Sequence, residues 1–331
     1  MLKSVARQVL LNSGVLRWAA RLRETGAAIL MYHSVVEDPN QFSDSLGAIT
    51  HSTRVFQEQM ELLARNFVPV DLLRIREFLE GARELPARAV AVTFDDGYHD
   101  NHTTAMPILD KLGIPAAFYL TVDGMEKRKL PWPSRLRFSF RKTRQRQFTD
   151  SRGQSWDLTD AAQRESAYLK VCDQICTLAG AALEEAVGRI EQHLDARLPD
   201  QAGDLMMTWE QAKDLAQRGH IVGSHTMTHP NLAFLDTRDA HRELAESKRR
   251  MEERIGCAVE HFSYPCPALF PNWTEQTLEQ SRQIGYKTAV TTSNGLTRAK
   301  DNILALKRVP PTKTLEGLRW NLESAFARRA S

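Results

Sequence analysis

Cysteine is scarce in this 331-residue chain, which has four: Cys172, Cys176, Cys257 and Cys266. They do not form two closely spaced pairs, so the sequence indicates neither a zinc ribbon nor a disulfide framework. Long apolar runs are missing too, and none reaches the roughly 18 residues that a membrane-spanning helix needs. The net charge of +3 is too small to indicate a nucleic-acid or membrane partner by itself. What remains is the composition of an ordinary globular protein.

Residues 1–26 are a basic segment, with one acid, Glu24, against five cations: Lys3, Arg7, Arg17, Arg21 and Arg23. Apolar residues recur at helical spacing and predict an amphipathic helix: Leu2, Val5, Val9, Val15, Trp18 and Leu22. No continuous apolar core with a cleavage site follows, so we expect no signal peptide and a cytoplasmic location. Packing against the protein body is the simpler interpretation of this helix. Peripheral contact with an anionic membrane surface is the alternative.

Downstream of residue 26, apolar strand patterns alternate with helical ones. Strands are predicted at residues 27–33, 67–70, 88–94, 116–122, 220–225, 259–264, 286–292 and 305–309. Alternation of this kind predicts a parallel sheet, and this number of strands favours a barrel over an open sheet. We therefore expect one α/β barrel domain over residues 27–330.

The alternation is interrupted at about residues 124–207, where no strand pattern is found. This insertion contains a helical pattern and a basic run: Arg135, Arg137, Arg141, Lys142, Arg144 and Arg146. Insertions of this length are usually functional. The run is either a solvated helix face, a lid over an anionic or sugar substrate, or a nucleic-acid surface. The last ranks lowest because no recognised motif accompanies it, and we predict no nucleic-acid partner.

Two adjacent carboxylates, Asp95 and Asp96, follow the predicted strand 88–94. Like charges this close cannot both stay ionised without a cation or a proton between them. A polar turn before the next helix is the ordinary explanation. His225 and His229, at the end of another strand, favour a metal site over this ordinary explanation. On a helical turn, their four-residue spacing would place both imidazoles on one face, where they can hold a metal.

Two neutral histidines and one carboxylate make a three-ligand site with open positions, which is the design of catalytic metal sites. We expect one divalent ion, Zn²⁺, although Co²⁺, Ni²⁺ or Fe²⁺ would also suit nitrogen and oxygen ligands. One of the two carboxylates would bind the ion and the other would act as a base. A bound ion lowers the pKa of water from roughly 15.7 towards 7, within reach of such a base. The set predicts hydrolysis of an amide or ester.

Thr93–Gly97 and Ser224–His229 together resemble the motifs of the polysaccharide deacetylases of carbohydrate esterase family four. The resemblance covers about residues 27–309, apart from the insertion. It implies a distorted (β/α)7 barrel and metal-dependent deacetylation of N-acetylated sugars. It also implies roles for four residues, with Asp95 as the catalytic base and, as metal ligands, Asp96, His225 and His229.

Phe262–Pro267 resembles the family's third motif, which forms one wall of the substrate groove. The resemblance implies substrate contacts from Tyr264, Pro265 and Cys266, with the Cys266 backbone N–H holding the developing oxyanion. Many members have an arginine, which orients the base, at the position of Ser263. That role therefore has no residue assigned in this sequence. Cys266 as a nucleophile is an alternative that ranks low, because the sequence places no partner histidine beside it.

The usual C-terminal motif supplies a histidine as general acid, but none follows Arg308. A related branch, which acts on poly-N-acetylglucosamine, has a Tyr-His motif on an N-terminal strand, and Tyr32-His33 resembles it. In a closed barrel the first strand neighbours the last, so both end at the same mouth. We therefore predict His33 as the general acid, held protonated near neutral pH by a nearby carboxylate. A buried strand-end histidine is the ordinary alternative.

These features favour a hydrolase that removes N-acetyl groups from an amino sugar of a bacterial polysaccharide, oligosaccharide or lipid-linked precursor. An O-acetyl esterase or a cyclic-amide hydrolase would use the same site on a different bond. A non-catalytic sugar-binding protein is the third candidate. The intact set of two carboxylates and two histidines argues against it.

Overall fold

The computed structural model describes residues 2–21 and 25–327. Its strands are β1 (Gly26–Tyr32), β2 (Ser34–Val36), β3 (Thr50–Ser52), β4 (Val68–Pro69), β5 (Ala89–Phe94), β6 (Ala116–Leu120), β7 (Gln147–Thr149), β8 (Ser155–Asp157), β9 (Ile221–Ser224), β10 (His261–Ser263), β11 (Thr288–Asn294), β12 (Thr297–Arg298) and β13 (Leu306–Arg308). Each predicted strand has a counterpart. The sequence patterns missed only strands of two or three residues, which are too short to show a period.

The helices are α1 (Leu2–Asn12), α2 (Val15–Arg21), α3 (Thr53–Asn66), α4 (Leu72–Leu79), α5 (Met106–Leu112), α6 (Val122–Glu126), α7 (Trp132–Lys142), α8 (Ala161–Ile175), α9 (Gly180–His193), α10 (Trp209–Gln217), α11 (Thr237–Ile255), α12 (Glu275–Ile284) and α13 (Leu315–Ala327). Several begin at side chains that accept a hydrogen bond from the first turn, such as Asp71 before α4 and Thr208 before α10. Among the described helices, none combines the length and the apolar character needed to cross a bilayer.

Seven parallel strands form a nearly closed barrel in the order β1, β5, β6, β9, β10, β11 and β13. A parallel bridge between Leu30 and Val309 joins the last strand to the first, and the Val309 N–H donates to the Ile29 carbonyl at 2.7 Å. β12 lies antiparallel to the start of β1, and β4 pairs with the start of β5. The prediction of a distorted (β/α)7 barrel is confirmed.

Alternate residues of each barrel strand point to opposite faces. On the outer face, Leu30 and Val92 join a large cluster with the surrounding helices. On the inner face, Ile29, Ala91 and Leu306 form a smaller cluster that also includes residues of α4. Four residues further along β1 and β5, and two residues further along β13, the same inner face reaches the carboxyl end of the barrel. That face carries His33 after β1, Asp95 after β5 and Arg308 in β13.

The insertion between β6 and α10 has its own apolar core, built from α7, α8, α9 and the antiparallel hairpin β7–β8. The expectation of no strand in this region is wrong, since the hairpin is present. Each of its strands has only three residues, which is too short to show a strand pattern in the sequence. The basic run is largely paired with acids. Arg135 binds Glu184 and Glu191, and both Arg137 and Arg141 bind Glu165. The run therefore helps to hold the insertion together.

The basic N-terminal segment contains two helices rather than one, because the chain turns at Ser13 and Gly14 between α1 and α2. The segment contacts α13, where the Arg319 guanidinium donates to the Leu11 carbonyl at 2.8 Å. Leu11 is buried. Leu22, which was expected to extend the apolar face, lies outside the described residues. The boundary between a 1–26 segment and a 27–330 domain stays a prediction.

The ion pair between Arg135 and Glu191 is mostly buried, with 10% and 7% of the two side chains exposed, whereas the Arg141 side chain is 40% exposed. Replacing Arg135 with Met leaves Glu191 buried without its partner, which typically costs about 3–5 kcal/mol. The matched change Arg141→Met removes a surface pair worth about 0–1 kcal/mol. Denaturant unfolding of both variants should therefore show a much larger loss for Arg135→Met. Equal losses would contradict the role of the buried pair.

Candidate metal centre and active site

Three potential ligands meet at the carboxyl end of the barrel. Asp96 Oδ1 lies 3.5 Å from His225 Nε2 and 3.3 Å from His229 Nε2. All three side chains are buried, and Asp96 Oδ1 has no hydrogen-bond partner among the described residues. Tetrahedral bonds of about 2.0–2.1 Å would place ligand atoms about 3.3 Å apart, so these residues fit a divalent ion. When bound, such an ion would polarise a carbonyl and acidify a water molecule.

The two histidines do not lie on a helix, which corrects the explanation expected from their spacing. They are separated by an irregular loop in which Thr226 and His229 have positive φ angles of 69° and 59°. Such backbone is costly for residues other than glycine and marks functional sites when the surroundings hold it. Here the His229 N–H donates to Thr226 Oγ1 at 3.0 Å. The loop therefore turns both rings towards Asp96.

Glu243 of α11 holds the same loop from behind. Its buried carboxylate accepts hydrogen bonds from the Met227 and Thr228 N–H groups, both at 2.9 Å, and from Thr228 Oγ1 at 2.6 Å. Burial raises the pKa of Glu243, although these donors act to lower it. Nothing in the local sequence marks Glu243 as a site residue, because the contact joins the loop to a helix that begins eight residues later in the chain.

His225 is oriented by a contact on the far side of its ring. Nδ1 donates to the Ser263 carbonyl at 2.7 Å, which directs the Nε2 lone pair towards Asp96. Burial acts to lower the pKa of His225, but Asp95 and Asp96 outweigh it and raise the value. Burial acts to raise the pKa of Asp96, but His225 and His229 hold it well below its usual range. Protons and a metal ion would therefore compete for this site.

Asp95 is held by Arg308, a residue that sequence analysis did not select. The guanidinium binds both carboxylate oxygens, with Nη1–Oδ1 at 2.8 Å and Nη2–Oδ2 at 2.7 Å. Its other donors reach the Thr291 carbonyl, Thr93 Oγ1 and Ser263 Oγ. Arg308 is almost fully buried. Arg308 thus orients the Asp95 carboxylate, a contact for which Ser263 has no cation. The sequence signal available was the alternation along β13, which places Leu306 and Arg308 on the same face.

Arg308 also determines the protonation of Asp95. Burial acts to raise the pKa of Asp95, but the charges of Arg308 and His225 outweigh it, so the pKa lies below its usual value. The two adjacent carboxylates thus have separate partners. Asp95 pairs with a permanent cation, and Asp96 faces the two imidazoles. The surroundings of Asp95 therefore favour its ionised form, which is the form that a general base requires.

Comparison with known proteins assigns this arrangement to a family. A family model described as polysaccharide deacetylase matches residues 82–170 and 175–289, which is more than half of the chain. The chain belongs to the polysaccharide deacetylase family. The resemblance expected from the two motifs is thereby confirmed, and the protein is a carbohydrate deacetylase by family.

Individual relatives agree. "Putative polysaccharide deacetylase YxkH" of Bacillus subtilis strain 168 is 22% identical over 301 residues, covering 91% of this chain and 76% of that protein. The poly-beta-1,6-N-acetyl-D-glucosamine N-deacetylase of Escherichia coli K12 is 40% identical over 67 residues, which is 20% of this chain and 10% of that protein. The latter match agrees with the resemblance to the branch with the Tyr-His motif.

Two solved structures share the fold. The Streptococcus pyogenes deacetylase PplD has a TM-score of 0.59 at 18% identity. IcaB from Ammonifex degensii has a TM-score of 0.58 at 21% identity. In both cases the match covers 92% of this chain and 99% of the other.

His33 lies at the same barrel mouth as the other site residues of this deacetylase. β1 and β5 run in register with Tyr32 opposite Phe94, and the Asp95 N–H donates to the Tyr32 carbonyl at 3.0 Å. Burial lowers the pKa of His33, although the nearby Asp96 and Asp95 act to raise it. The expectation that a carboxylate holds the imidazole protonated near neutral pH is therefore wrong for this environment. The role of His33 as general acid stays a prediction.

The expected substrate wall is only partly placed as predicted. Tyr264 has no exposed surface, and its hydroxyl pairs with Ser281 Oγ at 3.1 Å. Its side chain belongs to the outer face of the barrel, because Phe262 and Tyr264 share one parity and Ser263 has the other. The prediction that the Tyr264 side chain contacts substrate is therefore wrong. Pro265 is buried, and substrate contact by Pro265 and Cys266 stays a prediction.

Cys266 is half-buried, and its thiol faces the Leu269 carbonyl at 3.8 Å. Burial raises the pKa of this thiol. A thiol with a raised pKa is a poor nucleophile near neutral pH, since the thiolate is the reactive form. The alternative of Cys266 as a nucleophile is therefore weakened further.

The three-ligand site predicts that either His225→Ala or His229→Ala removes bound metal and activity together, because two ligands do not hold a catalytic ion firmly. Metal analysis of the purified variants measures the bound metal, and acetate release measures the activity. His241→Ala, at an exposed histidine of α11, is the matched control and should change neither. Full metal occupancy in both site variants would contradict the assignment.

The Arg308–Asp95 pair predicts a change in pH dependence. Arg308→Met removes the charge that lowers the pKa of Asp95, so the pKa rises and the base becomes protonated at higher pH. The acidic limb of the kcat/KM profile should therefore move to higher pH by about 1–3 units, the usual effect of one close opposite charge. Arg308→Lys keeps the charge and should move the limb less. An unchanged limb in the folded Arg308→Met variant would disprove the pairing.

Proposed function

We propose that this protein is a metal-dependent hydrolase that removes N-acetyl groups from an amino sugar of a bacterial polysaccharide, oligosaccharide or lipid-linked precursor. The observation that carries the proposal is the convergence of two separate groups at one barrel mouth. Asp95 with Arg308 forms an ionised base, and Asp96 with His225 and His229 forms a ligand set. We propose Zn²⁺ as the ion, because two imidazoles and one carboxylate suit it.

Within this proposal, the residues divide the reaction between them. Asp95 takes the proton from the attacking water, and Arg308 keeps its carboxylate ionised and correctly turned. The Cys266 backbone N–H supports the developing oxyanion. His33 gives a proton to the departing amine, because an amine is a poor leaving group unless it is protonated. Because its pKa is lowered, the protonated His33 imidazole is a stronger acid than an ordinary imidazolium.

Acetate release distinguishes this function from an O-acetyl esterase and from a non-catalytic sugar-binding protein. We expect the metal-loaded protein to release acetate from N-acetylated glucosamine oligosaccharides. The local identity with an N-deacetylase supports the amide rather than the ester as the natural bond. Acetate release only from O-acetylated glycans would replace the proposal with an esterase. Tight binding of N-acetylated oligosaccharides without acetate release would replace it with a sugar-binding protein.

The proposed acid predicts a defined loss of rate. His33→Ala should lower turnover of the N-acetylated oligosaccharide by about 10²–10⁴-fold, the usual contribution of general acid catalysis. Metal content should not change, because His33 is not among the grouped ligands. Near-normal turnover in a folded, metal-loaded His33→Ala protein would show that another group supplies the proton.

We also propose that the N-terminal helices contact an anionic membrane surface. Four apolar side chains of α1 and α2 are 39–65% exposed: Val9, Leu10, Val15 and Trp18. They belong to the segment with five cations and one acid, so apolar insertion and attraction to anionic lipids would act together. Such a contact suits a lipid-linked substrate.

Sedimentation with lipid vesicles tests this contact. The protein should bind vesicles containing phosphatidylglycerol more strongly than phosphatidylcholine vesicles, and salt should weaken the binding. The double change Val15→Ser with Trp18→Ser should reduce binding. Leu169→Ser, at an apolar side chain of the insertion that is 54% exposed, is the control. Equal loss in the control, or concentration-dependent dimerisation through α1 and α2 without vesicle binding, would contradict the proposal.

A further inference from the structure

A set of hydrogen bonds connects the segment that carries His33 to the segment that follows the two carboxylates. Asp100 accepts from Ser34 Oγ at 2.7 Å and from the Val35 N–H at 2.8 Å. Asn101 Nδ2 donates to the His33 carbonyl at 2.5 Å and to Asp100 Oδ1 at 2.9 Å. Asn101 is fully buried, as are Ser34 and Val35. These side chains therefore lie in the interior beside the barrel mouth.

The bonds hold His33 on both sides. Before it, the Tyr32 carbonyl accepts from the Asp95 N–H. At His33 itself, the carbonyl accepts from Asn101, and the next two residues bind Asp100. These contacts restrict the backbone at His33, so the position of the imidazole is set chiefly by its side-chain torsions.

The chain between the base and these contacts is short and ordered. Asp96 and Gly97 both have positive φ angles, 78° and 87°, and the chain then enters a single π-helical turn at Asn101–Ala105. Irregular turns of this kind are uncommon and often accompany functional sites. One segment of seven residues, 95–101, thus includes the base and one metal ligand at its start and the contacts to His33 at its end.

We propose that Asp100 and Asn101 are positioning residues that hold His33 in the geometry for protonating the leaving amine. They act through the backbone of residues 33–35 and do not touch the substrate. This inference rests on the proposed function, since it takes His33 as the general acid. It adds that the placement of the acid is governed by the same segment that carries the base.

Leaving-group chemistry separates positioning of the acid from general damage to the site. An amine must be protonated to leave, whereas the phenolate of para-nitrophenyl acetate leaves without a proton. Asn101→Ala should therefore lower kcat on an N-acetylated glucosamine oligosaccharide by about 10–100-fold, a part of the effect of removing the acid. Its KM, its metal content and its rate on para-nitrophenyl acetate should stay within about twofold of the original protein, because neither the ligands nor the base has moved.

A double-mutant cycle supplies the second readout. If Asn101 acts through His33, then adding Asn101→Ala to His33→Ala should cause no further loss on the amide, because contacts that act as one unit are not additive. Thr103→Ala, an exposed residue of the same turn, is the matched control and should leave both substrates unaffected. Should Asn101→Ala fail to fold, Asp100→Asn keeps the size of the side chain and undergoes the same two tests.

Equal losses on the amide and the ester, loss of metal, or additive losses in the cycle would overturn the inference. Failure of the proposed function would give a different result. In that case the original, metal-loaded protein would hydrolyse para-nitrophenyl acetate but release no acetate from any N-acetylated oligosaccharide.

Discussion

The buried pair between Arg308 and Asp95 is the contact on which the site depends. It joins β13 to the carboxylate that follows β5, with β1 between the two strands, and lies close to where Val309 joins β13 to β1. An isolated buried carboxylate would be protonated and useless as a base. With a bidentate guanidinium whose remaining donors are also satisfied, it stays ionised and has one orientation. The contact that holds Asp95 therefore lies directly beside the contact that closes the barrel.

Two adjacent carboxylates in a buried site create a problem that the structure solves by separating them. Residue 95 continues the inner face of β5 and meets Arg308, whereas the positive φ at Asp96 turns the next carboxylate towards the two imidazoles. Each negative charge thus has its own positive or metal-binding partner. In the proposed reaction the same division separates their chemistry, because only the carboxylate that is not a ligand is free to take a proton.

Support for this mouth comes from elements that lie outside the motifs. Glu243 of α11 holds the loop between the histidines, and the Trp132 indole N–H at the start of the insertion donates to the His229 carbonyl at 2.9 Å. The insertion is therefore joined to the candidate metal centre as well as to its own apolar core. Supporting contacts of this kind orient ligands and adjust their affinity, so the active site extends further than its ligand set.

The amino-acid sequence by itself determined the barrel, the Asp95–Asp96 and His225–His229 motifs, and the family, because strand periodicity and motif spacing are local. It also located His33 at the end of the first strand. Other features needed the tertiary structure. Arg308 and Asp95 are 213 residues apart in the chain. The sequence around each residue gives no indication that the two will pair. The histidine loop is not helical because Glu243 and Thr226 stabilise strained backbone, and Tyr264 faces the core by strand parity. Burial, which lowers the pKa of His33, exists only once the chain has folded around it.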